Sequence, residues 1–150
     1  MIKKINHIAI AVPHLEGTAK FYEEFLGLSL DGVEEVEGMD TKVGFFPVGE
    51  TTIELVQPTK EETGLAKFLA TRGPGIHHIC LEVDDIEADL KAYKEKGIKL
   101  IDETPRKGAH GMKVGFIHPK DTGGVLIELC ELAPPKDQQK KPGQPGASEE

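Results

Sequence analysis

From Lys3 to Val12 apolar and polar positions alternate, with Ile8, Ile10 and Val12 on one side of an extended chain and His7, Ala9 and Ala11 on the other, a period that predicts a strand. The pattern returns 71 residues later, where His77-His78-Ile79-Cys80-Leu81-Glu82-Val83 lines up with Asn6-His7-Ile8-Ala9-Ile10-Ala11-Val12. Each copy runs into an acidic segment of helical period. The first, Leu15 to Leu26, brings Ala19, Tyr22, Phe25 and Leu26 to one face and stops at Gly27; the second, Ile86 to Lys96, stops at Gly97 and keeps Tyr93 at the same offset from Tyr22. Strand-like runs follow in each half: Leu28 to Glu37, Thr41 to Val48 and Thr51 to Gln57, then Lys99 to Glu103, Lys113 to His118 and Gly124 to Leu132. Between the halves a short amphipathic helix, Thr63 to Arg72, ends at Gly73-Pro74-Gly75. The chain therefore reads as two tandem βαβββ modules of an α+β domain over residues 1–132, about 3–58 and 76–132 with a linker helix at about 63–73, whose sheets join as an open cup.

The repeat also places chemistry. His7 and His78 occupy the same position on the same strand face, and the last strands of the two halves read Ile53-Glu54-Leu55 and Ile127-Glu128-Leu129. A glutamate flanked by core aliphatics must point away from them, because burying its charge unpaired costs several kcal/mol. In a cup built from both modules, His7, Glu54, His78 and Glu128 converge as two imidazoles and two carboxylates. That donor set suits one divalent ion of the cobalt, nickel, manganese or zinc kind better than calcium, with open positions for water or substrate oxygen. Strict alternation puts His77 opposite Asn6, on the other strand face from His78; His14 and His118 have surface or turn positions.

Charge and composition narrow the partners. A formal net charge of −8 excludes a phosphate-tracking nucleic-acid binder. An anionic ligand must find the local cations Arg106, Lys107, Lys113 and Lys120, which flank the glycine-bearing loop Lys107-Gly108-Ala109-His110-Gly111; the glycines allow close backbone approach and His110 adds an acid–base group. No apolar run approaches eighteen residues and the chain enters a strand directly after MIKKIN, so a soluble cytoplasmic protein is expected. Cys80 and Cys130 lie within apolar strands and read as reduced core thiols. Residues 133–150 hold four of the ten prolines and no large apolar side chain, a composition that predicts a disordered tail.

Paired βαβββ modules with one His and one Glu per module resemble the vicinal oxygen chelate superfamily. The runs NHIAIAVP (Asn6 to Pro13), HHICLEVDDI (His77 to Ile86) and GAHGMKVGFIHPKDTGGVLIEL (Gly108 to Leu129) resemble its methylmalonyl-CoA epimerases. The resemblance implies metal ligands at His7, His78 and Glu128, with Glu54 at the remaining ligand position, Glu128 and Glu54 as the groups that move the proton, and an acyl-CoA substrate held by Lys107, His110 and Lys120. It also implies a homodimer. Many bacterial epimerases carry a second carboxylate on the third strand of the first module, where this chain has Val43. The reaction implied is epimerisation at carbon 2 of methylmalonyl-CoA through a stabilised enolate. Two other readings belong to the same superfamily: glyoxalase I, a lactoylglutathione lyase with a His, Glu, His, Glu site, and a metal-free module that sequesters a small molecule. The stretch 108–129 argues against the first, and the presence of all four ligand-type residues against the second.

Overall fold

A computed structural model describes residues 1–135; the expected tail at 133–150 lies outside the described residues from 136 onward. The first module holds strand β1 (Ile2–Ala11), helix α1 (Leu15–Glu24) and strands β2 (Gly32–Val36), β3 (Thr41–Val48) and β4 (Thr51–Pro58). Helix α2 (Gly64–Arg72) leads to the second module: β5 (Gly75–Val83), α3 (Ile86–Glu95), β6 (Arg106–Lys107), β7 (Lys113–Ile117) and β8 (Ile127–Glu131). All eight strands belong to one curled sheet, ordered β2-β3-β4-β1-β5-β8-β7-β6, so the second half repeats the first in mirrored strand order. β1 pairs in parallel with β4 and β5 with β8, and the modules join where β1 meets β5 antiparallel.

The repeat extends to how each helix is seated. In the first module the Leu15 backbone N–H donates to Gln57 Oε1 at 2.8 Å, and in the second the Ile86 N–H donates to Glu131 Oε1 at 3.0 Å. A side chain from the last strand thus satisfies one of the open donors at the start of each helix. α1 packs through Leu15 and Ala19 against Phe46 and Leu55, and α3 through Ile86 and Leu90 against Ile117 and Leu129. Both helices come close to their sheets over a glycine. A Cβ on Gly44 would meet Leu15 at 3.2 Å, and one on Gly115, 71 residues later, would meet Leu90 at 3.0 Å. Leu90 is fully buried and has no room to withdraw. Gly115→Ala is accordingly expected to destabilise the fold by about 1–3 kcal/mol through overpacking; an unchanged melting temperature would show that α3 shifts freely on the sheet.

Two expected strands come out differently. Leu28 to Asp31 is not part of β2: Gly27 takes φ +68 and the Leu28 N–H closes the helix end by donating to the Tyr22 carbonyl at 3.1 Å, so Leu28 and Leu30 pack beneath α1 instead. Lys99 to Glu103 contributes only the bridge Leu100↔Ile117. There the Asp102 carboxylate accepts from the Phe116 N–H at 2.9 Å, a side chain standing in for a ladder bond, and the two-residue β6 forms later, at Arg106.

α2 is more than a connection. Its Leu65, Phe68 and Leu69 pack with Ala9, Ala11, Val43, Phe45 and Val56, the side of the sheet opposite α1. The hollow of the curled sheet is therefore filled at one end by α2 and, in the second module, by Met112, Val114, Cys80 and Cys130. Between them lie His7, Glu54, His78 and Glu128.

Candidate metal and active site

β1, β4, β5 and β8 are the four central strands, and each sends one site residue into the hollow. Register fixes their meeting: His7 lies opposite Cys80, Ala9 opposite both Glu54 and His78, and Cys80 opposite Glu128. His7, Glu54, His78 and Glu128 are all between 3 % and 7 % exposed, and Glu82 on the same face is 4 % exposed.

Three donor atoms meet at one point. His7 Nε2 is 3.3 Å from His78 Nε2 and 3.0 Å from Glu128 Oε1, and His78 Nε2 is 3.1 Å from that same oxygen. Bonds of about 2.1 Å to a single ion hold neighbouring donors about 3.0 Å apart in an octahedron and about 3.4 Å apart in a tetrahedron. The three separations fall in that range, so the residues fit a divalent ion. Cys80 also lies nearby, its ligand atom within 4.8 Å of those of His7 and Glu128. In the metal-free protein burial, with hydrogen bonding to Cys130, pushes its thiol well above the usual range.

Glu54, expected as the fourth ligand, stands apart from these three donors and approaches from another side. Its Oε2 lies 3.1 Å from His7 Nδ1, the ring nitrogen turned away from Glu128 and His78. The two carboxylates are consequently in opposite electrostatic states. Burial works to raise the Glu128 carboxyl, but hydrogen bonds from His7 and His78 and the charge of both rings outweigh it and hold the group well below the usual carboxylate range. Burial pushes Glu54 up to about 7, against the pull of His7 and assisted by the negative charge of Glu128 and Glu34. His7 itself is raised: burial opposes its charge, yet the hydrogen bond to Glu128 and the charges of Glu54 and Glu128 prevail.

Glu54 thus gives the metal-free protein a pH dependence with a definite sign. Folded, it keeps its proton up to about pH 7, whereas in the unfolded chain it releases it near the ordinary value of 4.5. The native state binds more protons in that window, so the Glu54 contribution to stability is present below pH 4.5 and is lost as pH rises towards 7. Glu54→Gln is expected to gain on the parent in melting temperature across this window with metal removed. A difference that is the same at pH 4 and pH 8 would contradict the assignment.

The other expected site residues divide. His110 sits in a tight turn, Ala109–Gly111, with φ +57, a left-handed conformation that costs a non-glycine residue energy. Its ring lies 4.5 Å from that of Phe45, and its Nε2 is 3.7 Å from Glu34 Oε1. The second module's loop therefore reaches across to the first, and His110, Phe45, Glu54, Asn6 and Met112 share the lining of a cavity of about 330 Å³. The basic group does not assemble as one cluster: Arg106 is paired with Asp102 at 2.9 Å and Lys113 with Glu87 at 2.7 Å. Lys107 and Lys120 are exposed and make no ion pair among the described residues.

His77 departs from the expected alternation. It stands at a bulge of β5, and its ring turns back to put Nδ1 2.8 Å from His78 Nδ1. Sequence reasoning left Asn6, Glu82 and Glu34 without roles. Asn6 Oδ1 lies 2.7 Å from His7 Nδ1, its amide nitrogen donates to Glu82 Oε1 at 3.1 Å, and Glu34 meets His110. The alternation that put Glu82 on the His78 face was the available signal; the bulges leave none.

Residues 6–116 match the family described as the glyoxalase/bleomycin resistance protein/dioxygenase superfamily. The chain is 42% identical over 127 residues to human mitochondrial methylmalonyl-CoA epimerase, covering 84% of this chain and 72% of that one. It is also 42% identical over 134 residues to the ethylmalonyl-CoA/methylmalonyl-CoA epimerase of Cereibacter sphaeroides, covering 88% and 100%. A solved structure of a Streptomyces coelicolor methylmalonyl-CoA epimerase variant in complex with 2-nitronate-propionyl-CoA aligns with a TM-score of 0.85 at 32% identity, over 89% of this chain and 96% of that one. Among the described residues no helix is long and apolar enough to cross a membrane.

Proposed function

This chain belongs to the glyoxalase/bleomycin resistance protein/dioxygenase superfamily, and from that premise we propose that it is a methylmalonyl-CoA epimerase whose divalent ion is held by His7, His78 and Glu128, with Glu54 as the fourth member of the site. The observation that carries the site is the trio His7 Nε2, His78 Nε2 and Glu128 Oε1, 3.0–3.3 Å apart in the hollow. Cobalt, nickel, manganese and zinc all suit such donors.

The substrate presents an acidic C–H between a thioester carbonyl and a carboxylate. An ion bound at the trio supplies Lewis acidity that stabilises the negative charge developing on the thioester oxygen. The chain's own residues move the proton. In the metal-free protein burial pushes the Glu54 carboxyl up to about 7, and a group near that value both takes and returns a proton at neutral pH. Glu128, on the other module, is the second carboxylate we assign to proton transfer, and the two imidazoles that hold it ionised make it the weaker base of the pair. Inversion needs proton transfer on both faces of the planar enolate, and carboxylates on facing modules meet that need. The loop bearing His110 walls the cavity beside Glu54. Lys107 and Lys120, exposed on the second module, are the cations we assign to the CoA phosphates.

One comparison tests the function. Metal-loaded protein is given racemic methylmalonyl-CoA and, separately, methylglyoxal with glutathione; turnover of the first alone is expected, and turnover of the second alone would identify a lactoylglutathione lyase. The same reading includes a homodimer, which sedimentation equilibrium checks by a mass twice that of the chain.

A further inference from the structure

β1 and β5 run antiparallel through the middle of the sheet, and each carries one extra residue immediately before its site histidine. Between the pairs Ile5↔Leu81 and His7↔Cys80 the extra residue is Asn6; between Ala9↔His78 and Ile10↔Ile76 it is His77. A bulge breaks the two-residue alternation of a strand and re-aims a side chain. Here it lays a polar atom of each extra residue against the ring that follows: Asn6 Oδ1 is 2.7 Å from His7 Nδ1, and His77 Nδ1 is 2.8 Å from His78 Nδ1. The two contacts are equivalents under the 71-residue repeat.

In the first module the chemistry of the partners decides where the hydrogen sits. Glu82, 4 % exposed, receives the Asn6 amide N–H at 3.1 Å and lies 3.7 Å from Lys3 Nζ. Asn6 therefore turns its NH2 to Glu82 and its carbonyl to His7. A carbonyl oxygen only accepts, so the hydrogen between Asn6 and His7 is on Nδ1. Glu54 Oε2, 3.1 Å from that nitrogen, is a second acceptor for it. Nε2 is then the ring atom left to face Glu128 and His78. In the second module the His77 ring, packed edge-on against Phe68 at 4.9 Å, stands where Asn6 stands in the first, holding Nδ1 of His78 while Nε2 faces Glu128.

We propose that Asn6 and His77 are positioning residues that occupy Nδ1 of His7 and His78, with Glu82 setting the orientation of Asn6, so that each ring commits Nε2 to the ion. Partners behind metal-binding histidines fix ring tautomer and raise ligand basicity; here each module supplies one from the residue beside the ligand, by a bulge. The proposal rests on the metal reading above.

Zinc, which is diamagnetic, is the probe. Calorimetric titration of the metal-stripped full chain gives its affinity, and 15N–1H NMR of the histidine rings in the zinc-loaded protein shows which nitrogen keeps its hydrogen. Retained Nδ1–H signals on His7 and His78, with zinc on Nε2, are expected. Asn6→Ala and His77→Ala are expected to weaken zinc about 10–100-fold. Glu82→Gln, which touches neither ring, frees the Asn6 amide to turn over and weakens zinc as well. His77→Asn restores most of the affinity lost in His77→Ala although both lose the packing on Phe68, which a merely structural role does not explain. Zinc on Nδ1 of either ring, or parent-like affinity in both alanine variants, would overturn the proposal. Failure of the parent to bind zinc would overturn the metal reading instead, and loss of the His7 Nδ1–H signal in the metal-free protein would then overturn the positioning role on its own.

Discussion

Glu128→Gln is expected to lower kcat for epimerisation roughly 10²–10⁴-fold, the range spanned by removal of a positioned acid–base group, and to weaken the ion at the same time. A single oxygen, Oε1, touches both His7 and His78, so this residue joins the two modules at the site. Glutamine preserves the shape and an oxygen but removes the charge that both imidazoles reinforce. With 5 % of its surface exposed, Glu128 is shielded from bulk water. Kinetics on protein of measured metal content separate the two losses. A metal-loaded variant turning over at close to the parent rate would remove Glu128 from proton transfer and leave it as a ligand alone.

Glu54→Gln is expected to suppress net epimerisation to a similar degree, but to do so differently. Glu54 contacts His7 at Nδ1 rather than at the three-donor face, so the ion is expected to stay. A protein left with one base still removes and returns a proton on its own side of the enolate. In deuterated water the variant should therefore exchange the C2 hydrogen of one methylmalonyl-CoA epimer and not of the other, with Glu128→Gln, when metal-loaded, showing the opposite preference. If metal-loaded Glu54→Gln epimerises at close to the parent rate, Glu54 is not a base. His110, whose ring lines the same cavity, then becomes the group to replace next.

The repeat made most of the architecture legible, because each βαβββ module has the same strand faces, its histidine at the 71-residue offset and a glutamate on its last strand. Thr41–Val48 is a strand over the very residues that the alternation marks, and α2 and α3 begin within a residue of their expected starts. What was not legible depends on departures from regular period. The bulges at Asn6 and His77 insert one residue each without any local sequence mark, so alternation sent His77 to the wrong side. Lys99 to Glu103 has strand-like composition, but the Asp102 carboxylate takes the Phe116 N–H that a neighbouring strand would have bonded. The basic residues near the loop look like one cluster along the chain; in three dimensions Asp102 and Glu87 engage two of them. Convergence of the four site residues followed from pattern alone, whereas the placement of Glu54 behind the His7 ring required coordinates.

The account turns on one ion held between the two repeats. Anomalous diffraction from a crystal grown with cobalt locates it directly. The account predicts a single strong peak in the hollow, at about 2.0–2.2 Å from His7 Nε2, His78 Nε2 and Glu128 Oε1. A peak more than about 3 Å from two of these atoms, well beyond any such bond, or one bonded to the Nδ1 side of His7, would contradict it.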